Sequence, residues 1–115
     1  MASISDVRAL TISDENAAST TRIAAAARPT AAFTLANTTH ANGTARNVTV
    51  TTTGTGDNAK TVTVVGTDVF GDSLTEVITS TGSAETVAGS SLFLTITSAT
   101  CSAQYAANVS VGSGS

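Results

Sequence analysis

Between Thr61 and Ser80 the chain reads TVTVVGTDVFGDSLTEVITS, and no other stretch limits the possible folds so tightly. Apolar and Thr residues alternate at period two on either side of a segment holding Gly66, Asp68, Gly71 and Asp72. Period-two alternation marks a half-buried strand, while Asp bonds to nearby amides and Gly takes positive φ in turns. The stretch therefore predicts a β-hairpin with Val62 and Val64 facing inward and Thr61 and Thr63 outward. In its second arm Leu74 and Glu76 share a parity while Val77 and Ile78 are adjacent, so a β-bulge is expected there.

The rest of the chain supplies similar segments. Phe33 and Leu35 share a face in a strand from Ala31 to Asn37, and Asn42-Gly43 is a turn signal. Asn47 to Thr53 alternates with Val48 and Val50 on one side, followed by a turn from Gly54 to Asn58. Gly82 to Gly89 is expected as a loop or short edge strand. From Leu92 to Thr100, Leu92, Leu94 and Ile96 alternate against Phe93 and Thr95. In the last strand Tyr105, Ala107, Val109 and Val111 point one way, and the Gly112–Ser115 tail is expected to be flexible. Short strands at this spacing predict an all-β protein, an antiparallel β-sandwich of immunoglobulin-like or jelly-roll-like kind.

Upstream, Ile4, Val7, Leu10 and Ile12 have a spacing that suits neither a helix nor a strand, and an extended arm is expected. Ser13-Asp14-Glu15 resembles a helix start, and Pro29 stops any helix that runs through the alanines to Ala27. Thr20 and Thr21 interrupt that run and its apolar face is weak. A short helix and an extended strand or arm both remain open. The expected division is an arm or helix over 1–29, a sandwich over 30–111 and a tail over 112–115.

This sandwich has an aromatic-poor core. Phe33, Phe70, Phe93 and Tyr105 are the aromatic residues of the 115, and there is no Trp. Large aromatics dominate core energetics, so a chain that lacks them is expected to draw stability from a neighbour. Thr makes up about a fifth of the residues. A Thr-rich, charge-poor surface fits an exposed strand lattice or a close-packed assembly better than a catalytic cleft. The five basic residues are scattered against a net charge of -3, leaving no stripe to neutralise phosphates, so nucleic acid is not an expected partner. The N-terminus lacks the basic start and apolar run of a signal peptide, and no segment has the length of a membrane span. The expectation is a chain made in, and soluble in, a cytoplasm, with no membrane partner.

Residues able to carry chemistry are few. His40 is the one histidine; it falls in a polar turn and reads as a solvated loop residue rather than the base of a triad. Cys101 is alone, forms no disulfide within the chain, and reads as a small buried apolar residue at a strand end. Asp68 and Asp72 bring two carboxylates to one turn, but their spacing does not match a calcium loop. They read as turn-forming residues, and Glu76 as exposed or paired with Lys60 or an Arg. Asn37, Asn42, Asn47 and Asn108 begin glycosylation-type triplets, which a Thr-rich chain produces by chance. No catalytic, metal or cofactor site is expected, and the chain is not expected to be an enzyme.

From Ala45 to Val111 the chain resembles small β-domain structural proteins of tailed-bacteriophage virions. The residues that carry this are Ala45-Arg46-Asn47-Val48-Thr49-Val50, the Gly54–Asn58 turn, and Val62-Thr63-Val64-Val65-Gly66-Thr67-Asp68. The similarity continues through Gly71-Asp72-Ser73-Leu74-Thr75-Glu76-Val77-Ile78-Thr79, Phe93 to Ser98, and Asn108-Val109-Ser110-Val111-Gly112. It implies a capsid decoration or cement protein that binds the major capsid protein on the virion exterior, a homo-oligomer with a trimer favoured, assembled in a host bacterial cytoplasm. A tail or head–tail accessory protein is the alternative it implies. A host-surface carbohydrate-binding module ranks third, with Tyr105, Phe70 and Phe93 as its stacking aromatics. Ile4, Val7, Leu10, Ile23 and Phe33 are the expected intersubunit contacts, and the 61–80 turn is expected to touch a neighbouring subunit rather than a substrate.

Overall fold

The structure, a computed structural model, describes residues 18–40 and 43–114. Seven strands form among them: β1 (Ser19–Ala27), β2 (Val48–Thr52), β3 (Thr61–Thr67), β4 (Ser73–Thr79), β5 (Thr86–Ala88), β6 (Thr95–Cys101) and β7 (Val109–Ser113). They build two antiparallel sheets, one ordered β1-β7-β2-β5 and the other β4-β3-β6. Ile23, Val48, Val50, Val109 and Val111 from the first sheet meet Val62, Val64, Ile78, Ile96 and Ala99 from the second in one buried core. The protein is an all-β antiparallel sandwich.

The expected hairpin is β3 and β4, paired without interruption from Thr61↔Thr79 to Thr67↔Ser73. No bulge interrupts it. Leu74, Glu76 and Ile78 face inward, and Val77 is left 56% exposed on the outer face. The irregularity lies instead in β6, where Val65 pairs with Ser98 but Gly66 pairs with Ile96, so that Thr97 is the extra residue. Gly66 makes room for this. A Cβ there would run into the Thr95 carbonyl, and a bulge beside a close backbone approach is where strand glycines belong. The simple alternation expected over 92–100 does not hold. The bulge reverses parity so that Ile96 and then Ala99 and Cys101 are buried, while Phe93, before β6 and bridged to Arg46, is buried and Leu92 is 57% exposed.

One open choice is decided and two further expectations are corrected. Of the helix, strand and arm left open for residues 19–27, the strand is found, because β1 pairs with β7 from Ser19↔Ser113 to Ala27↔Val109. The expected strand over 31–37 is a connector between sheets. Phe33 N–H donates to Ala99 O at 2.9 Å and Ala36 N–H to Ile23 O at 2.7 Å, which ties the segment to both β6 and β1. The last strand begins at Val109, leaving Tyr105 and Ala107 before it, and takes in Gly112 and Ser113 of the expected tail, both buried. A Cβ at Gly112 would collide with the Ser19 carbonyl and the Thr20 backbone, so this glycine lets β1 lie against β7.

Candidate interaction surface

The sheet edges are treated unequally. β6 is covered by the 31–39 connector, with Cys101 N–H on Ala31 O at 2.8 Å and Ile96 N–H on Thr38 O at 2.8 Å. β1 is broken by two register shifts and partly bound by the same connector. β5 is three residues long. β4 alone among these edges is long, regular and uncovered by a described segment. Its inward Glu76 is occupied, accepting from Ser90 N–H at 2.8 Å and Ser91 N–H at 3.2 Å. Glu76 is thus paired with a loop, not with Lys60 or an Arg.

The hairpin tip follows the turn chemistry read from the sequence. Asp68 Oδ1 accepts from Phe70 N–H at 2.8 Å and Asp72 N–H at 3.1 Å, and Gly71 takes φ 82°. These bonds fix the turn while Val69 and Phe70 project from it, 56% and 84% exposed. Leu92 lies at the same end of the sheet, since the nearby Leu94 N–H bonds to Thr67 O at 2.7 Å. Phe70 is the exposed aromatic of the fold; Phe33, Phe93 and Tyr105 are 7%, 0% and 0% exposed. Two of the three aromatics considered for sugar stacking are therefore enclosed in the core.

At the opposite end of β3 and β4, polar groups hold the 102–108 loop. Asp57 Oδ1 meets Lys60 Nζ at 2.8 Å and accepts from Ala106 N–H at 2.7 Å. Lys60 also donates to Gln104 O at 2.9 Å and stands 5.7 Å from the centre of the Tyr105 ring. The Tyr105 and Ser80 hydroxyls are 2.8 Å apart. Burial pushes the Asp57 carboxyl up, but Lys60 and the Ala106 amide outweigh it and leave the group below its ordinary range. Burial raises the Tyr105 phenol despite the Ser80 bond. Serine, tyrosine and lysine together can move protons. Here, however, the phenol is made less acidic, and both Tyr105 and Ser80 are shut away from solvent. The arrangement fastens a loop.

His40 is not the solvated residue expected. It is 1% exposed, drawn inside by the bridge of Thr39 to Thr95 and by Arg22 Nε donating to Thr39 O at 3.1 Å. Burial first, then Arg46 and Arg22, lower its pKa, so the ring is held neutral. Cys101 is buried as expected, its Sγ 3.2 Å from Ala31 O. Among the described residues no three or more His, Cys, Asp or Glu side chains gather as a metal site.

Of the expected contact residues, Ile4, Val7 and Leu10 lie outside the described residues. Ile23 is fully buried within the chain's own core. Phe33 is 7% exposed and lines an open groove of about 450 Å³ with Ala25, Ala27, Pro29 and Ala32, Arg28 being its charged member. The sequence pattern singled out the hairpin but did not single out Phe70 as its exposed point. Its signal was a large apolar residue between two turn-forming aspartates. No family model matches the chain, and neither a curated protein nor a solved structure is significantly similar to it.

Proposed function

We propose that this chain is a non-enzymatic structural protein of a tailed-phage virion that decorates the capsid and stabilises it by binding the major capsid protein. The supporting observation is Phe70, exposed at the tip of a turn held by Asp68. In an aromatic-poor chain, a large side chain presented on a preorganised turn loses little freedom on docking, and such anchors dominate interface energetics. The Asp57–Lys60 and Ser80–Tyr105 bonds at the far end keep the hairpin in place without taking part in the contact. The virion assignment itself rests on the sequence resemblance across Ala45–Val111.

The test compares purified particles carrying the protein with particles stripped of it, under heat and osmotic shock. Stripped particles are expected to lose their contents earlier, and re-addition of the protein is expected to restore them. Equal survival of the two preparations rejects the cement role. A copy number of six or twelve per particle would instead favour the tail or head–tail alternative.

A further inference from the structure

We propose that β4 is the edge through which two copies of this chain join, antiparallel and centred on Val77, to make one continuous sheet across a two-fold axis. The inference rests on edge geometry and not on the virion reading.

The backbone bonds identify which groups the described residues leave unbonded. Asp68 N–H donates to Asp72 O at 3.0 Å, and Ser80 N–H donates to Lys60 O at 2.8 Å. Between these ends the register is unbroken. In an antiparallel ladder, alternate residues turn their N–H and C=O toward the neighbouring strand. Asp72, Leu74, Glu76, Ile78 and Ser80 therefore bond to β3, and Ser73, Thr75, Val77 and Thr79 direct theirs outward. Among the described residues β4 has β3 as its single strand neighbour. Natural edges are shielded by lysine, proline, bulges, shortness, an inward-pointing charge or a covering segment. The other three edges are short, irregular or covered; among the described residues β4 has one such device, the inward Glu76, and that carboxylate is already held by the Ser90 and Ser91 amides.

The sequence of the edge is matched to itself. Centred on Val77, Thr75 faces Thr79 of the second copy, hydroxyl against hydroxyl. The exposed Val77 side chains meet at the axis. Glu76 lies opposite Ile78, so no like charges are opposed. Moving the centre to Glu76 would set two carboxylates directly opposite one another, which is unfavourable. Moving it to Thr75 would set each exposed Val77 against Ser73 and lose the apolar contact at the axis. Charge and apolar contact thus both favour the register centred on Val77. Each of the Val77–Val77, Thr75–Thr79 and Thr79–Thr75 pairs exchanges both main-chain bonds.

The experiment uses the full chain in solution. Sedimentation equilibrium over a range of concentrations is expected to give twice the chain mass. Val77→Pro removes an outward N–H that β3 does not use, and Val77→Lys places like charges at the axis. Each is expected to weaken dimerisation about a hundredfold while the circular dichroism of the monomer is retained. Should the proline variant fail to fold, the lysine variant decides. Register is read by oxidation. Val77→Cys alone is expected to crosslink, since Cα atoms of a bonded antiparallel pair stand about 5.5 Å apart, within disulfide reach. Thr75→Cys is expected to crosslink only when mixed with Thr79→Cys. The native Cys101 is buried. A monomer at every concentration overturns the proposal, including one whose Val77 amide is protected from exchange by the chain's own residues. An oligomer of any size that is indifferent to both Val77 variants also overturns it. These measurements involve no particles, so their failure is separable from failure of the decoration role.

Discussion

Asp57 shows how much of this fold hangs on single polar side chains. Its Oδ1 serves both Lys60 and the Ala106 amide, and the residue is 1% exposed. Asp57→Ala leaves that amide without its acceptor and Lys60 without its counter-ion. A loss of about 2–3 kcal/mol is expected in urea unfolding, because a broken buried pair costs more than an absent one. Acid acts on two residues in turn. The folded pKa of His40 lies below its ordinary 6.5. As pH falls below that value, the unfolded chain gains a proton that the folded chain refuses, and stability drops. Asp57, also held below its ordinary 3.8, adds a second loss at lower pH, where its carboxylate would be protonated first in the unfolded chain. Urea midpoints are therefore expected to fall between pH 7.5 and 5.5, and again toward pH 3. His40→Gln is expected to flatten only the first decline. The burial of His40 was not legible in the sequence, since its neighbours are polar. A cross-sheet connector, rather than local composition, encloses it.

At the scale of elements, local chemistry and long-range pairing separate clearly. The β3–β4 hairpin was readable because alternation and turn residues act within one short segment. β1 stayed open between helix and strand, because an alanine-rich run carries no decisive signal of its own and becomes a strand by pairing with β7. The β6 bulge was misplaced into β4 because Val77 next to Ile78 imitates one. The true cause is Gly66 on the neighbouring strand, which no reading of β6 alone would include. Gly66→Ala is accordingly expected to destabilise the sandwich by about 3 kcal/mol, since added volume against fixed backbone cannot be relieved by a rotamer change. Thermal unfolding would register it, whereas Ala substituted at the exposed Thr55 is expected to leave the midpoint nearly unchanged. The hairpin tip makes the opposite prediction. Phe70→Ala removes no core contact, so its unfolding midpoint should match the parent, while retention on stripped particles should fall by tenfold or more, about 1.4 kcal/mol. Unchanged retention would remove Phe70 from the docking surface.

For the whole molecule, the all-β sandwich was evident from strand spacing and turn signals, and the aromatic-poor core is as expected, with Phe93 and Tyr105 its two fully enclosed rings. What composition did not convey is the order of assembly. β7 lies between β1 and β2, so the first strand of the described chain and its last residues share one ladder, Ser19 against Ser113. During synthesis, β3, β4 and β6 can meet as they emerge, but the other sheet has no centre until Val109–Ser113 has left the ribosome. Non-local pairing of this kind folds slowly. A chain stopped after Ala107 should retain little strand signal by circular dichroism and should be cleared by proteases; a well-folded product would contradict this. The position of β7 thus makes closure of the first sheet conditional on a strand far along the chain, so that a copy lacking Val109–Ser113 leaves both β1 and β2 without the neighbour they share.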